Sequence, residues 1–172
     1  SLLQCINSTA IIRFYLPIGS ATMTVPLKSP QEIEKMRIAG RLASEVLDYI
    51  TPFVKPGVTT NELDRISTMM HKEANAIPAA LGYGYPPYPK GICTSLNEVI
   101  CHGIPNDRPL ENGDILNIDV ASILDGYFGD CSRMVILGDV SEPKKRVVDV
   151  SYECLERAIR VCEPGVTMKK IG

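Results

Sequence analysis

The sequence predicts a mixed α/β protein of the α+β kind, in which two amphipathic helices precede a β-hairpin. Two helix-start signals, at Ser29 and Thr59, each introduce apolar residues at helical spacing. Further along the chain, two β-rich runs flank Asp125-Gly126, a dipeptide typical of tight hairpin turns. The order of elements is therefore helix, helix and hairpin.

Length and composition are those of one globular domain. The chain has 172 residues, a formal net charge of −2, 45% apolar residues and 22% charged residues. These proportions exclude a disordered chain, a collagen and a coiled coil. No Lys/Arg block is present, which argues against a nucleic-acid or anionic-membrane surface. No run approaches the ~20 apolar residues that a membrane span requires.

Residues 1–22 differ from the rest of the chain. They contain no acidic residue and one basic residue, Arg13, and they lack a regular apolar period. Met23 opens a stretch of more ordinary composition. We therefore expect residues 1–22 to be a non-native or disordered extension, and residues 23–172 to form the folded domain.

The first two helices are predicted from their N-terminal caps. Ser29-Pro30-Gln31-Glu32 combines an N-cap serine, a proline at the first helical position and a capping-box glutamate. This helix should end before Pro56-Gly57. The second helix begins at Thr59-Thr60-Asn61-Glu62 with another capping box, and His71 is expected on its exposed polar face.

A long aromatic loop and a strand are predicted between the second helix and the hairpin. Residues 75–90 contain four prolines and three tyrosines, and stiff loops of this length often bind ligands. An aromatic lid over the core is the alternative. Residues 92–101 are interpreted as a strand or two short strands, which would place His102 at a strand end. There His102 could donate or accept a proton, or could simply be hydrogen-bonded locally.

The hairpin brings two acidic residues together. With Asp125-Gly126 as a two-residue turn, Asp119 lies opposite Ser132 and Asp130 lies opposite Ala121. The two aspartates then share a face as diagonal neighbours, with Cβ atoms ~7–8 Å apart or somewhat less. Since such carboxylates repel each other in apolar surroundings, a divalent metal ion or a metal pair between them is one interpretation. In the other, Asp130 caps a turn and Asp119 pairs with an arginine.

A third amphipathic helix is predicted from Ser141, and its end repeats an earlier pattern. Pro-Gly-Val-Thr at 164–167 follows this helix, as the same tetrapeptide at 56–59 follows the first helix, 108 positions earlier. The repeat indicates a second helix–helix–hairpin unit that begins at Ser141 and stops early, at Gly172. Chance recurrence of a common helix stop is the alternative.

The cysteines point to a reducing compartment. Six are present, without a Cys-x-x-Cys pair or a compact framework. In a chain long enough to bury a core, this usage is typical of reduced thiols in a cytoplasmic protein.

Three motifs of this chain resemble type I methionine aminopeptidases, and the likeness extends over residues 23–172. The motifs are Asn97-Glu98-Val99-Ile100-Cys101-His102-Gly103-Ile104-Pro105, residues 112–120 (NGDILNIDV) and residues 125–130 (DGYFGD). The resemblance implies the pita-bread fold, a pseudo-twofold α/β pairing of two helix–helix–hairpin units. This chain would be the N-terminal part of such a catalytic domain, comprising the first unit and a truncated second one.

The resemblance also implies roles for individual residues. Asp119 and Asp130 match two metal ligands of the family. His102 matches a catalytic histidine that hydrogen-bonds the substrate at the scissile amide. The residues that match walls of the substrate-binding pocket for the methionine side chain are Tyr85, Tyr88 and Cys93.

The implied activity is metal-dependent removal of the N-terminal methionine from nascent polypeptides, in the cytoplasm and near the ribosome. A complete site would hold two divalent ions, such as cobalt, manganese, iron or zinc, which activate the attacking water. The full-length enzyme would be a monomer with no direct nucleic-acid site and no membrane contact.

This chain also departs from the family pattern. The family's three further ligands, one histidine and two glutamates, lie beyond the part that this chain matches, so we expect the 172-residue polypeptide to be inactive alone. A non-catalytic, partner-binding module with the same fold is the alternative function. The presence of Asp119, Asp130 and His102 favours the enzyme. A proline-specific aminopeptidase of the same fold would have a different histidine context and a large N-terminal domain.

Overall fold

The structure is a computed structural model that describes residues 25–172. The predicted extension, residues 1–22, lies outside the described residues. In chain order the elements are α1 (Pro30–Ile50), a 3₁₀ helix (Thr51–Phe53), α2 (Thr60–Glu73), β1 (Ile77–Pro78), β2 (Cys93–Leu96), β3 (Ile115–Leu124), β4 (Tyr127–Ile136), α3 (Glu142–Arg160) and a second 3₁₀ helix (Met168–Lys170). Within residues 25–172, no helix is long and apolar enough to cross a membrane.

Strand β3 is the centre of a four-stranded antiparallel sheet. Strand β4 pairs with one edge of β3 over its whole length, and the short strands β1 and β2 share the other edge. This is the register that a two-residue turn predicts. Asp125 and Gly126 have φ angles of 50° and 79°, the left-handed backbone that a tight hairpin turn requires.

Helix α1 packs across β3 and β4, with α2 beside it. The buried core that results comprises Ala43, Val46, Leu47, Ile50, Val54, Leu63, Ile66, Ile92, Leu110, Leu116, Ile118, Val120 and Leu137. Because successive strand residues alternate between faces, the even-numbered residues of β3 face the helices. The odd-numbered residues of β3, Asp119 among them, therefore face the opposite side of the sheet.

The two predicted helix caps differ in detail. In α1 the capping box is complete, since the Ser29 amide donates to the Glu32 carboxylate (2.7 Å) and the Glu32 amide donates to the Ser29 hydroxyl (3.2 Å). In α2 the Thr59 hydroxyl accepts from the Glu62 amide (3.2 Å). The Glu62 carboxylate, however, accepts from Arg65 (2.6 and 2.8 Å). The second capping box is thus only half formed, because the Glu62 carboxylate pairs with Arg65, one turn further along the helix, and not with the Thr59 amide.

The prediction that His71 is exposed is wrong. Its side chain is fully buried, and Nδ1 donates to the Ser67 carbonyl oxygen at 2.8 Å. With the proton on Nδ1, Nε2 accepts from the Ser122 hydroxyl, also at 2.8 Å. His71 therefore links α2 to β3, a contact that depends on where the sheet lies and that helical periodicity does not reveal.

We expect His71 to make the fold less stable as the pH falls below about 6.5. Burial lowers the pKa of His71, although its hydrogen bond to Ser67 acts in the opposite direction. The unfolded chain therefore binds a proton at a higher pH than the folded chain does, and the free energy of unfolding decreases as the pH falls through that window. Urea unfolding between pH 7.5 and 5 should show that the free energy of unfolding falls more steeply in the parent chain than in His71→Gln, because glutamine does not titrate. Equal slopes would contradict this prediction.

The predicted repeat has a structural counterpart. Gly57 and Gly165, the glycines of the two Pro-Gly-Val-Thr stretches, have φ angles of 90° and 88°. Helix α1 precedes the first stretch and α3 precedes the second, and a 3₁₀ helix begins where α2 begins in the first copy. The two helices differ in burial, because none of the 19 residues of α3 is buried.

Candidate metal centre

The Asp119 and Asp130 side chains meet on the face of the β3–β4 hairpin that is opposite the helices. Asp119 is the Cα partner of Ser132 on β4 and of Cys93 on β2, and Asp130 is the partner of Ala121. When Asp119 is protonated, its carboxyl group hydrogen-bonds to Asp130. The two carboxyl groups therefore converge, as the register of the turn predicts.

Burial and mutual repulsion disfavour the ionised form of this pair. Burial first, and then the charge of Asp130, raise the pKa of Asp119 to about 6, while nearby His102 acts in the opposite direction. Asp130 keeps part of its side chain in solvent, yet desolvation by the surrounding protein raises its pKa as well. The site holds more negative charge than its own protein environment neutralises, which is a condition that a bound cation relieves.

The donor set suits a divalent ion. Two carboxylates offer up to four hard oxygen donors, the type that divalent ions of catalytic sites bind. Among residues 25–172, no lysine or arginine forms an ion pair with either aspartate, so the alternative in which Asp119 pairs with an arginine is not observed. The same part of the chain contains no group of three or more His, Cys, Asp or Glu residues placed to hold a metal. Asp119 and Asp130 are therefore the candidate ligands that this part of the chain brings together, fewer than the three donors of a protein-bound metal cluster.

His102 lies in a loop and not at the end of a long strand, which corrects the strand predicted over residues 92–101. Strand β2 ends at Leu96, and a turn follows in which the Val99 amide donates to the Leu96 carbonyl oxygen (3.0 Å). Asn97 and His102 both have positive φ angles, 52° and 55°, which a regular strand does not allow. His102 is exposed, and its charge acts on Asp119.

Tyr88 and Cys93 border the aspartate pair. The Tyr88 hydroxyl donates to the carbonyl oxygens of Gly103 (2.8 Å) and Ile92 (3.2 Å). Burial raises the pKa of Tyr88, as do the adjacent Cys93 thiol and the charge of Asp119. Burial also raises the pKa of the Cys93 thiol, which Tyr88 opposes. These two side chains therefore lie on the side of the site formed by β2 and the aromatic loop.

Tyr85 is not part of this group. Its side chain is fully exposed, and Tyr83 is 72% exposed. The aromatic loop is therefore not a lid over the core. The five other predicted site residues, His102, Tyr88, Cys93, Asp119 and Asp130, lie together. Their roles remain predictions.

A second polar cluster supports the loop that carries His102, and sequence reasoning missed it. Buried Asp114 accepts hydrogen bonds from Arg108 (2.8 Å), Asn97 (2.8 Å) and the Glu111 amide (2.9 Å). Burial alone would raise the pKa of Asp114, but these bonds lower it to about 2. Asn97 also accepts from Lys144 of α3 (2.9 Å). The partners are up to 47 positions apart, so no local pattern identifies the cluster.

Comparison with known proteins assigns the class to which this fold and site belong. The model of metallopeptidase family M24 matches residues 34–172. Because that match covers most of the chain, the chain belongs to metallopeptidase family M24.

Within this family, the chain is similar to methionine aminopeptidases. It is 58% identical to the methionine aminopeptidase of Chlamydia trachomatis over 146 residues, which are 85% of this chain and 50% of that protein. It is 49% identical to the methionine aminopeptidase of Escherichia coli K12 over 152 residues, or 87% of this chain and 57% of that protein. The chain spans about half the length of the curated relatives it matches.

Solved structures agree on the fold. The methionine aminopeptidase from Rickettsia prowazekii superposes with a TM-score of 0.73 at 52% identity, covering 76% of this chain and 52% of that one. The enzyme from Thermotoga maritima gives a TM-score of 0.79 at 32% identity, covering 84% and 57%. An Xaa-Pro dipeptidase from Bacillus anthracis, with a TM-score of 0.66 at 21% identity, shares the fold alone. The architecture is thus that of the pita-bread proteins.

Proposed function

We propose that this chain is part of an enzyme that removes the N-terminal methionine from nascent polypeptides with the help of divalent metal ions. The observation that carries the proposal is the convergence of Asp119 and Asp130 on an open sheet face beside His102, Tyr88 and Cys93. Similarity to methionine aminopeptidases at 49–58% identity supports the choice of substrate.

In this proposal, Asp119 and Asp130 hold the metal and each of the other residues has a separate task. A bound divalent ion supplies Lewis-acid activation of water and polarisation of the scissile carbonyl. His102, exposed and close to Asp119, offers a ring nitrogen to the substrate amide. The Tyr88 hydroxyl is engaged by two backbone carbonyl groups, so Tyr88 presents its ring rather than its hydroxyl to a methionine side chain. The buried Cys93 thiol adds a soft, weakly polar surface to the same wall.

Further features of the proposal concern the complete enzyme. We infer two divalent ions per complete site, a cytoplasmic location near the ribosome and a monomeric state. Cys93, Cys101, Cys154 and Cys162 are free thiols in the described part of the chain, which supports a reducing compartment. The 172-residue polypeptide alone, with two carboxylate ligands from its described part, is expected to bind metal weakly and to show no peptidase activity.

Titration of the chain with Mn²⁺ by isothermal calorimetry tests the metal site. We expect Asp130→Asn to weaken binding at least tenfold, because one of two anionic ligands is lost. Affinity should also fall as the pH is lowered through about 6, since protons compete for Asp119. Asp139→Asn removes an exposed carboxylate elsewhere and should leave binding unchanged. Unchanged stoichiometry and affinity in Asp130→Asn would remove Asp130 as a ligand.

A further inference from the structure

We propose that Asp64 is a positioning residue that holds the substrate-side wall of the metal centre in place. The inference rests on the proposed function, because it takes the wall formed by Tyr88 and Cys93 as the surface that meets the substrate. Asp64 lies on α2, next to the end of the aromatic loop. It belongs to neither the predicted metal site nor the predicted pocket.

The Asp64 carboxylate binds the end of the aromatic loop directly. Its Oδ1 atom accepts hydrogen bonds from the Gly91 amide at 2.8 Å and from the Ile92 amide at 3.2 Å. Within residues 25–172, no lysine or arginine forms an ion pair with Asp64. The hydrogen bonds to the two backbone amides therefore hold the Asp64 side chain and the end of the aromatic loop in place against each other. Hydrogen bonds to a charged acceptor are the stronger class of such bonds.

The backbone at Gly91 lies close to Asp64 and Thr68 of α2 and to Pro78 of β1. A Cβ atom at Gly91 would lie 3.1 Å from the Thr68 hydroxyl, 3.2 Å from the Pro78 Cβ and 3.3 Å from Asp64 Oδ1. These distances are tighter than ordinary van der Waals contact. A glycine thus lets the end of the loop approach the carboxylate closely enough to be held by it.

The segment that Asp64 binds, Gly91-Ile92, is followed directly by Cys93, one of the two residues of the wall. The Ile92 carbonyl oxygen accepts from the Tyr88 hydroxyl at 3.2 Å, and Cys93 is the next residue along the chain. The same hydroxyl donates to the Gly103 carbonyl oxygen at 2.8 Å, directly after His102. Gly103 is further tied to β2, since its carbonyl oxygen accepts from the Thr94 amide at 2.7 Å. A shift of the backbone at Ile92 would therefore move Tyr88, Cys93 and the residue next to His102 together.

The fold does not depend on Asp64 for the position of α2. The buried side chains of Leu63, Ile66 and His71 hold that helix against the core. Loss of the Asp64 carboxylate should therefore release the end of the loop without unfolding the helix. This separates a positioning role from a general contribution to stability.

Three variants of the 172-residue chain test the proposal. They are Asp64→Ala, Asp64→Asn and the control Glu62→Ala, which lies on the same helix. Asp64→Ala should speed amide hydrogen exchange at Gly91 and Ile92, and alkylation of Cys93 by iodoacetamide, by about tenfold or more. Asp64→Asn keeps an oxygen acceptor and should restore most of the protection. Glu62→Ala removes an exposed carboxylate on the same helix and should change neither rate. Exchange in α1 and in the β3–β4 hairpin should be the same in all variants.

Three results would overturn the proposal: unchanged rates in Asp64→Ala, no rescue in Asp64→Asn, or faster exchange throughout the molecule in Asp64→Ala. The Mn²⁺ titration is a separate measurement on the same variants. Unchanged Mn²⁺ binding in Asp130→Asn would count against the proposed metal site and would leave the exchange result for Asp64 intact. Conversely, a failure of Asp64 to protect the wall would leave the Asp119–Asp130 site unaffected.

Discussion

Asp119→Asn is expected to raise the free energy of unfolding of the metal-free chain by up to about 3 kcal/mol at pH 7. The folded chain raises the pKa of Asp119 from 3.8 to about 6 through burial and the charge of Asp130. Ionising Asp119 at neutral pH therefore costs the folded state free energy that the unfolded state does not lose. Asparagine has a similar shape and removes that cost, together with one of the two proposed metal ligands. Urea unfolding in the presence of EDTA, followed by circular dichroism, measures the change.

The pH dependence provides a second check on Asp119. Because its pKa in the folded chain is raised, the folded state binds more protons than the unfolded state between pH 3.8 and about 6. Its contribution to stability is present below that window and is lost as the pH rises through it. The stability gained by Asp119→Asn should thus be small at pH 4 and full at pH 7. Asp139→Asn, at an exposed position, should give no such difference. A destabilised Asp119→Asn at pH 7 would contradict the repulsion argument.

Gly129→Ala is expected to lower the free energy of unfolding by about 3 kcal/mol or more. A Cβ atom at Gly129 would lie 2.1 Å from the Ala39 carbonyl oxygen and 2.5 Å from the Gly40 amide nitrogen. Both obstacles are backbone atoms of α1, which cannot rotate away as a side chain could. The helix would have to move off β4 next to Asp130. Urea unfolding measures the stability, and Mn²⁺ titration should show weaker binding because the hairpin shifts.

Gly40→Ala is the matched control for Gly129→Ala, because it adds the same methyl group on the other side of the α1–β4 contact. Beyond its chain neighbours and the backbone of its own helix, a Cβ atom at Gly40 would have no heavy atom within 4 Å. Since alanine favours the interior of a helix over glycine, this variant should gain roughly 0.5–1 kcal/mol. Opposite signs for the two variants are the expected result. A similar loss of stability in both variants would contradict the close contact between Gly129 and the backbone of α1.

The first of these predictions expresses a compromise at the candidate metal centre. The hairpin carries two acidic side chains that repel each other when no cation is present. Sites that bind ligands often retain such unfavourable local features, because the ligand restores the balance. Here the gain in stability from Asp119→Asn should come with a loss of metal binding.

The sequence alone determined the parts that depend on neighbouring residues. The start of α1 at Ser29, the turn at Asp125-Gly126 and the register of β3 with β4 follow from local chemistry. A two-residue turn leaves one register, and that register places Asp119 and Asp130 on one face. The family resemblance then predicted roles for individual residues, and the match to family M24 confirmed the family.

Only the tertiary structure decided the features that depend on contacts between distant segments. His71 is buried because Ser122, 51 positions away, offers it a hydrogen bond. Asp64 reaches Gly91 across 27 positions. Residues 97–102 form a turn and loop, although their apolar composition suggests a strand. Helical and strand periodicity report which side of an element a residue occupies, but not what the fold places against that side. The conformation of the loop that carries His102, and the hydrogen bonds that join Asp64 to the end of the aromatic loop, were therefore beyond the reach of sequence patterns.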